Sequence, residues 1–324
     1  MSSYSFQTSA EQVAQDLHNA IANKTVLVTG VSPGGLGAEF AKVIAVYGPS
    51  LIILASRDIL KARQTALEIA GIAPEVPTRL LELDLRSQAQ VRSAAKEVLT
   101  YEENIDVLVN NAGVMASPFS LTDDGIESQF ATNHVGHFLF TNLIIAKLAN
   151  PGNPGRVVNV SSNGHCLSPV RFHDWNFDEG KNYDPWLAYG QSKSANMLFS
   201  VSLAQKLGGR GLISVSLHPG TINTNLARGD WSEMYESLAK WFTVLGYFRS
   251  GQGEITWKSM SQGVATHVFA AFHPSITTSH NNGGFVQDCA VVKLEEVRSW
   301  ARDPIEAERL WKLTEEIVGE TFEY

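Results

Sequence analysis

The chain has 324 residues, of which 44% are hydrophobic, a composition that fits a folded globular protein and excludes a disordered or collagen-like chain. Its length corresponds to roughly two average domains or to one large α/β unit. With 25 lysines and arginines against 33 aspartates and glutamates, the net charge is −8, which argues against a nucleic-acid partner.

Three features bear on the compartment. The longest dense apolar stretch, residues 138–149, is too short to span a bilayer. The N-terminal segment contains Glu11 and Asp16 and has no apolar core of the secretory type. The two cysteines, Cys166 and Cys289, speak against a disulfide framework. We therefore expect a cytoplasmic protein without a transmembrane segment.

Short aliphatic or β-branched runs alternate with longer amphipathic segments along the chain. The runs are residues 25–29, 51–55, 79–84, 106–110, 156–161 and 212–217. Runs that are apolar on both faces are typical of parallel strands covered by helices on each side. The sequence thus predicts an α/β fold with a doubly wound parallel sheet of the Rossmann type, in a single domain over residues 1–324.

Three additions to this single domain are expected. Residues 1–24 would form an N-terminal helical extension, with the helix at about 10–22. Residues 225–262 would form a helical substrate-lid segment, and residues 285–324 a C-terminal helical extension.

A glycine-rich turn, residues 30–37, follows the first run and precedes a helix. Glycines let the backbone approach a pyrophosphate, whose charge the N–H groups of the helix N-terminus stabilise. This context predicts a dinucleotide site. The second run ends in Ser56-Arg57, where an NAD site usually has an acid, and the Arg57 guanidinium favours the 2′-phosphate of NADP(H). Alternatively, Arg57 lies in a surface turn and pairs with Asp58.

Six motifs in chain order together resemble the short-chain dehydrogenase/reductase family. They are Thr29-Gly30 to Gly37, Asn110-Asn111-Ala112-Gly113, Asn133, Ser161-Ser162, Tyr189-Gly190-Gln191-Ser192-Lys193, and Pro219-Gly220 with Thr224. The long interval between Ser162 and Tyr189 and the turn at Ser56-Arg57-Asp58 are similar to the retinol dehydrogenase and WW-domain oxidoreductase branch of that family. The resemblance implies a nicotinamide-dependent oxidoreductase.

One motif departs from the family pattern. The glycine turn at residues 30–37 is one residue longer than the family has. Gly35 and Gly37 fit the last two family glycines best, but Gly34 can serve as the second. The resemblance therefore specifies the fold more closely than the phosphate contacts.

The resemblance also implies a catalytic set. Tyr189 would be the acid/base, Lys193 would lower its pKa and bind the nicotinamide ribose, and Ser162 would hold the substrate oxygen. Asn133 would complete a proton relay through water. The tyrosine-lysine spacing has a physical reason, because residues four apart share a helix face and an ammonium favours the phenolate. The resemblance places the family's serine just beyond the strand, which favours Ser162, and strand alternation points Ser161 to the opposite side.

The cofactor contacts implied by the resemblance come from every motif. They are Gly30, Ser32, Gly35, Leu36, Gly37, Ser56, Arg57, Asp84, Leu85, Asn111, Ala112, Gly113, Tyr189, Lys193, Pro219, Gly220, Ile222 and Thr224. Asp84 would meet the adenine amine, or else cap the helix that begins near Ser87. Ile222 and Thr224 would meet the carboxamide, whereas Pro219 could serve only to shape a turn. The proposed mechanism needs no metal.

Aromatic residues cluster beside the expected active site. The 26 residues between Ser162 and Tyr189 include Phe172, Trp175, Phe177, Tyr183 and Trp186. A second stretch holds Trp231, Tyr235, Trp241, Phe242, Tyr247, Phe248 and Trp257. They favour a bulky hydrophobic small-molecule substrate. The alternatives are internal packing, a subunit interface or peripheral membrane contact. The helices around residues 123–150 and 185–207 are compatible with a homodimer.

The leading hypothesis is an NADP(H)-dependent oxidoreductase that reduces a ketone or aldehyde, or oxidises the alcohol, of a bulky hydrophobic molecule. Hydride transfer would be coupled to proton transfer by tyrosine. One alternative is a regulatory protein that binds NADP(H) without turnover. Another is a sugar-nucleotide epimerase or dehydratase, which shares the tyrosine-lysine pair but usually has a different glycine turn.

Overall fold

The computed structural model describes residues 4–150, 153–224, 226, 231–244 and 256–324. In this described part of the chain, eight strands form the central sheet. They are β1 (Thr25–Thr29), β2 (Leu51–Ser56), β3 (Thr78–Glu82), β4 (Val107–Asn110), β5 (Arg156–Val160), β6 (Ile213–His218), β7 (Phe285–Gln287) and β8 (Ala290–Val291). Their order is β8-β7-β6-β5-β4-β1-β2-β3, with β8 antiparallel to β7 and the other neighbours parallel.

Helices cover both faces of this sheet. They are α1 (Ala10–Asp16), α2 (His18–Ile21), α3 (Leu36–Ala45), α4 (Ile59–Ile72), α5 (Gln88–Leu99), α6 (Ser128–Phe130), α7 (Gly136–Leu143), α8 (Ile145–Leu148), α9 (Pro185–Leu207), α10 (Trp231–Val244), α11 (Met260–Phe272) and α12 (Pro304–Val318). The core on one face is built with α5, α7, α9 and α12, and the core on the other with α1, α3, α4 and α11. The predicted doubly wound α/β fold is confirmed.

The strand β1 shows why these runs become central strands. All five of its residues are buried, and Val26 pairs with Ile52 of β2 on one side and with Val107 of β4 on the other. Aliphatic side chains on both faces exclude water, so the strand is stable only between two helical layers. Because the chain runs from β1 to β2 but β4 returns to the opposite side of β1, the winding reverses here. Ligands of such sheets bind at this reversal, beyond the carboxyl ends of the strands.

Element bounds differ from the sequence expectation in two informative places. The N-terminal helix is interrupted at Leu17, whose φ of −105° and ψ of 14° leave helical geometry between α1 and α2. The third strand ends at Glu82 rather than at Asp84, because the chain turns there and the backbone N–H of Ser87 donates to the carbonyl of Asp84. Neither difference alters the sheet order.

The C-terminal extension combines strands with helix. Residues 285–324 were expected to be helical, but β7 and β8 extend the sheet edge before α12 begins. The predicted lid segment, residues 225–262, lies partly outside the described residues, although α10 and the start of α11 fall within it. Among the helices of the described ranges, none is both long and apolar enough to cross a membrane.

Candidate active site

A cavity of about 1160 Å³ opens beyond the carboxyl ends of the strands near the winding reversal. Drug-sized ligands usually occupy pockets of about 300–1000 Å³, so this cavity has room for a dinucleotide and part of a second molecule. Most of the predicted site residues line it. They are Gly30, Ser32, Gly35, Leu36, Ser56, Arg57, Leu85, Asn111, Ala112, Gly113, Ser162, Tyr189, Lys193, Pro219, Gly220, Ile222 and Thr224. Gly37, Asp84 and Asn133, which the structure also describes, do not belong to this lining.

In the lengthened glycine turn, two glycines adopt a backbone conformation that other residues rarely adopt. Gly30 and Gly34 both have φ of +75°, a left-handed conformation that glycine adopts without strain. Gly35 is the N-cap of α3, and no side chain of the described residues caps that helix. Gly35 and Ser32 face the cavity, whereas Gly34 makes the turn that places them there. The free N–H groups at this helix N-terminus form a cradle suited to a pyrophosphate.

Gly37 lies behind the cavity wall, which differs from the predicted cofactor contact. A Cβ atom at this position would lie 2.5 Å from Nδ2 of Asn111 and 2.7 Å from the carbonyl oxygen of Gly30. The same Asn111 Nδ2 donates to the carbonyl oxygens of Thr29, at 2.8 Å, and Gly30, at 3.2 Å. Gly37 therefore lets the turn close on Asn111 and shapes the cradle indirectly.

A cationic corner lies at the end of β2. Ser56, Arg57, Lys61 and Gln64 all line the cavity. The carboxylate of Asp58 caps α4 by accepting from the N–H groups of Leu60 at 3.0 Å and Lys61 at 3.3 Å. Sequence reasoning missed Lys61 and Gln64, although their position on the first turns of the helix after Arg57 could have indicated them.

The alternative role of Arg57, a surface pair with Asp58, does not match this geometry. Asp58 lies 3.9 Å from the ammonium of Lys61. It uses its other carboxylate oxygen for the helix cap. The Arg57 side chain borders the cavity, so its guanidinium lies where an anionic group of a ligand could reach it.

Asp84 lies between two cavity residues but does not line the cavity itself. Leu83 and Leu85 form that part of the wall. The Asp84 carboxylate accepts from the N–H of Arg86 at 3.0 Å, and the Ser87 hydroxyl caps α5. The side chain thus stabilises the turn after β3 and does not cap α5, and its contact with an adenine amine stays a prediction.

Tyr189 and Ser162 meet at the other end of the cavity. The Tyr189 ring is 5% exposed, and burial raises its pKa to about 12, while a hydrogen bond with Ser162 acts in the opposite direction. The Ser162 hydroxyl also accepts from the N–H of Gly164 at 2.9 Å. A Cβ atom on Gly164 would lie 2.7 Å from the Tyr189 ring, so glycine is needed here to leave room for the ring.

The neighbouring Ser161 has a different contact. Its hydroxyl donates to the backbone carbonyl of Lys193 at 2.8 Å and is buried. Ser161 therefore stabilises α9 against β5, whereas the Ser162 hydroxyl is the one that meets Tyr189. The strand alternation noted in the sequence accounts for this separation.

Lys193 lies one helical turn beyond Tyr189. Its Nζ donates to the carbonyl oxygen of Val160 at 3.0 Å and lies 5.5 Å from the centroid of the Tyr189 ring. Burial lowers the pKa of Lys193 to about 7. The sequence predicts that this ammonium lowers the pKa of Tyr189. That effect stays a prediction, because burial of the phenol raises its pKa and dominates the other influences on it.

Asn133 lies in the π-helical turn Ala131–Val135 and is fully buried. Its Oδ1 accepts from the N–H of Val114 at 2.8 Å, and its Nδ2 donates to Val114 O at 2.9 Å and Ser192 Oγ at 2.8 Å. Both amide hydrogens are thus used within the protein. The side chain connects the loop after β4 to α9, and its role in a relay through water stays a prediction.

The remaining cavity wall differs in character on its two sides. Met115, Leu167, Trp186 and Leu238 give it an apolar side, and Trp186 is held by a bond from its Nε1 to the Ser237 hydroxyl at 3.1 Å. A polar side comes from separate loops. Its residues are Asn163, His165, Cys166, His218, Gln287 and Glu296. Asn163, His165 and Cys166 directly follow the Ser162 motif in the sequence, whereas His218, Gln287 and Glu296 join them only in the folded chain.

Most aromatic residues of the long interval before Tyr189 pack on the protein body. Phe177 is fully buried, and Tyr183 contacts both Phe177 and Phe119. Trp175 lies against Phe130. Of the five aromatic residues in this interval, all described, only Trp186 lines the cavity. In the second stretch, Trp241 packs beside Tyr189.

Several aromatic residues of that second stretch cannot be placed in the site. The side chains of Trp231, Tyr235 and Phe242, and the whole of Tyr247 and Phe248, lie outside the described residues. Trp257 is 46% exposed. In the interval before Tyr189, whose aromatic residues are all described, internal packing accounts for more of them than the cavity wall does.

The loop after β6 closes the cavity beside Lys193. Pro219, Gly220, Ile222 and Thr224 line it, and the short strand Thr221–Ile222 pairs in parallel with Trp257–Lys258. Gly220 has φ of +101°, and a Cβ atom there would lie 2.6 Å from Cδ of Lys258. Glycine is therefore required where the loop passes over the lysine stem.

Known proteins resemble this chain over most of its length. Residues 24–172 match the family model described as short chain dehydrogenase. The chain is 35% identical over 299 residues to retinol dehydrogenase 11 of Mus musculus, covering 92% of this chain and 87% of that protein. It is 36% identical over 314 residues to the chloroplastic short-chain dehydrogenase TIC 32 A of Brassica napus, covering 94% and 92%.

A solved structure extends the comparison to three dimensions. The crystal structure of an uncharacterized protein from Mycobacterium paratuberculosis has a TM-score of 0.70 and 32% sequence identity with this chain. The superposition covers 94% of this chain and 96% of the other. The similarity therefore reaches beyond the segment matched by the family model to nearly the whole chain.

Proposed function

Because the chain belongs to the short-chain dehydrogenase/reductase family and is similar to retinol dehydrogenases over most of its length, we propose that it is an NADP(H)-dependent oxidoreductase. It would reduce a ketone or aldehyde, or oxidise the corresponding alcohol, of a bulky hydrophobic small molecule. The juxtaposition of Ser162 and Tyr189 carries the proposal: both line the large cavity and both lie beside Gly164, so a proton donor and an oxygen-binding hydroxyl would meet the same substrate atom.

The residues around the cavity fit a nicotinamide dinucleotide. The open N-terminus of α3 suits the pyrophosphate, and the glycine turn leaves space where a Cβ atom on Gly30 would lie 2.7 Å from Cα of Ala112. Asn111 to Gly113 would line the nucleoside between the two ends. When bound, the nicotinamide supplies or accepts the hydride.

Side chains of this protein would donate and accept the proton. The Tyr189 hydroxyl gives its proton to the carbonyl oxygen during reduction and takes it back during oxidation. The Ser162 hydroxyl binds the same oxygen and holds it within reach of Tyr189. An ammonium has three donors, and Lys193 uses one of them on Val160, which leaves donors for the hydroxyls of a ribose.

Preference for NADP(H) rests on the corner at the end of β2. Arg57 and Lys61 bring two cationic side chains to the cavity, and Ser56 adds a hydroxyl. Asp58 directs one carboxylate oxygen to the helix cap and the other toward Lys61 at 3.9 Å, so Arg57 is the cation that we expect to bind a 2′-phosphate most directly. A charge-assisted bond to a phosphate is roughly twice as strong as a neutral hydrogen bond.

The apolar cavity side supports a bulky hydrophobic substrate. Leu167, Trp186 and Leu238 lie on the substrate side next to Tyr189, where a hydrocarbon group could exclude water. The polar side would leave room for a second oxygen function. A cytoplasmic location remains a prediction.

The test is nucleotide binding and turnover measured on the same samples. NADPH and NADH are titrated separately, and their oxidation is followed over a panel of bulky lipophilic aldehydes and ketones. Tight NADPH binding with turnover that is lost in Tyr189→Phe supports the proposal. Binding without turnover on any panel member favours a regulatory protein, and absence of binding for both nucleotides refutes the cofactor assignment.

A further inference from the structure

His137 connects the cofactor-lining loop to the π-helical turn. Its Nε2 lies 2.9 Å from the Thr29 hydroxyl, and its Nδ1 lies 3.0 Å from the backbone carbonyl oxygen of Asn133. The Thr29 hydroxyl in turn lies 3.0 Å from the backbone N–H groups of both Asn111 and Ala112. His137 is 2% exposed and Thr29 is 1% exposed, so water does not mediate these contacts.

Counting hydrogens fixes the direction of each bond. The N–H groups of Asn111 and Ala112 can only donate, and they use both lone pairs of the Thr29 oxygen. The Thr29 hydroxyl must therefore donate its own hydrogen to Nε2 of His137. The Asn133 carbonyl can only accept, so Nδ1 carries the single hydrogen of a neutral imidazole. Every donor and acceptor in this set then has a partner.

The buried setting keeps the imidazole in this neutral form. Burial lowers the pKa of His137 to about 4, and the charge of Lys193 acts in the same direction. A doubly protonated ring would place a third donor against the Thr29 oxygen, which has no lone pair left to accept it.

We propose that His137 is a positioning residue that fixes the Asn111–Gly113 loop by accepting the Thr29 hydroxyl hydrogen. Without that acceptor, the Thr29 hydrogen is buried without a partner or rotates toward an N–H group of the loop. In either case the two backbone bonds to Asn111 and Ala112 weaken. Since Asn111, Ala112 and Gly113 line the cavity, their disorder would weaken nucleotide binding. The consequence for binding rests on the proposed function, whereas the ordering of the loop does not.

Two substitutions at His137 test the roles of its two ring nitrogens separately. Glutamine places its amide where Nε2 lies and can still accept from Thr29, whereas asparagine places its amide where Nδ1 lies and can reach only Asn133. We therefore expect His137→Gln to retain loop order and His137→Asn to lose it. Thr29→Val, which removes the hydroxyl at nearly constant shape, should behave like His137→Asn.

His134 provides a matched control within the π-helical turn to which His137 is bonded. It is also fully buried, but its Nε2 lies 3.0 Å from the Thr314 hydroxyl of α12, away from the cofactor loop. His134→Asn therefore perturbs the π-helical turn and the core without touching Thr29. It separates a general loss of stability from a specific effect on the loop.

The experiment measures amide hydrogen exchange over residues 107–114 in the cofactor-free protein, then the Kd and KM for NADPH. We expect faster exchange in this segment, and Kd and KM raised about tenfold with kcat less affected, in His137→Asn and in Thr29→Val. His137→Gln should stay within about threefold of the wild type, and the double variant Thr29→Val/His137→Asn should be no worse than Thr29→Val alone.

Unchanged exchange and unchanged affinity in His137→Asn would overturn the inference. Equal effects in His134→Asn and His137→Asn would also overturn it, because they would show only a weakened core. If the wild type binds neither nucleotide, the proposed function fails. Exchange over residues 107–114 would still decide whether His137 orders the loop.

Discussion

The ammonium of Lys193 lies 5.5 Å from the Tyr189 ring centroid and donates a hydrogen bond to the carbonyl oxygen of Val160 rather than to the phenol. Both side chains are buried, and burial favours the neutral form of each. The pKa of Tyr189 is therefore raised to about 12 while that of Lys193 is lowered to about 7. This pair is poised to donate a proton to a carbonyl at neutral pH.

The first prediction is a pH dependence that differs between the two directions. Carbonyl reduction needs protonated Tyr189 and the Lys193 ammonium, so its kcat/KM should not rise between about pH 6 and about pH 9 and should fall above about pH 7 as Lys193 loses its proton. Alcohol oxidation needs the phenolate, so its kcat/KM should rise with pH over the same range. Steady-state kinetics in both directions checks this. Oxidation that is independent of pH would contradict the role of Tyr189.

The Lys193→Met variant tests the lysine in the same assay. Removal of its positive charge disfavours the phenolate, so the oxidation profile should move to higher pH. Reduction should fall mainly through a higher KM for the nucleotide, since the donors for the ribose are lost. An oxidation profile identical to that of the wild type would show that the lysine acts only in binding.

The second prediction concerns nucleotide choice. Arg57→Ala should raise the KM for NADPH about tenfold and leave the KM for NADH within about twofold, because only NADPH carries the 2′-phosphate. Arg63→Ala is the matched control, since Arg63 lies exposed on α4, the helix that follows Arg57, and does not line the cavity. Equal changes for both nucleotides in Arg57→Ala would argue against the 2′-phosphate corner.

The third prediction concerns the packing of the glycine turn. Gly37→Ala should destabilise the protein by about 1–3 kcal/mol, because the added methyl overlaps Nδ2 of Asn111 and the carbonyl oxygen of Gly30. Nucleotide affinity should fall as well. Gly71→Ala, at an exposed helical position with open space around it, should leave stability unchanged or raise it by up to about 1 kcal/mol. Urea unfolding of both variants decides between these expectations.

The sequence predicts the fold and most of the cavity because both depend on local patterns. Aliphatic runs specify β1 and its neighbours, and each motif follows a strand whose carboxyl end meets the same edge of the sheet. The tyrosine-lysine spacing is set by the helix repeat. Gly34 shows what local patterns do not predict. Its left-handed φ shapes the turn, whereas Gly35 lines the cavity.

What the sequence could not predict depends on contacts between distant segments. The bonds of Asn133 to Val114 and Ser192 appear only when the loop after β4 meets α9. His218 and Gln287 come to one wall although nearly seventy residues separate them. The pKa of Tyr189 follows from burial, which spacing alone does not report. Local motifs therefore identified the residues of the site, and tertiary packing determined their hydrogen bonds and pKa values.

The fourth prediction is a loss of stability in acid. Burial lowers the pKa of five histidines from 6.5 to about 3 or about 4. They are His134, His137, His165, His218 and His267. Below pH 6.5 the unfolded chain binds protons that the folded chain does not, so the free energy of unfolding should fall as pH drops toward 4. The slope should be about 1.4 kcal/mol per pH unit for each histidine.

Urea titrations at several pH values measure that slope. His267→Phe removes one buried imidazole that lies beside the ring of Phe40. It should reduce the change of unfolding free energy per pH unit by the contribution of one histidine. A free energy of unfolding that is constant between about pH 6.5 and about pH 5 would contradict the assignment.

The fifth prediction concerns association through α7 and α9, the helices that the sequence offers for a homodimer. The chain's own α12 covers part of this face: Trp311 packs against Phe138 at 4.8 Å between ring centroids, and the Ser202 hydroxyl donates to Ala307 O at 2.9 Å. We therefore expect light scattering to give the mass of one chain. Truncation after residue 302 should expose Phe138 and cause association. A full-length dimer that is cross-linked through α9 would contradict this expectation, because α12 would then have to leave its site.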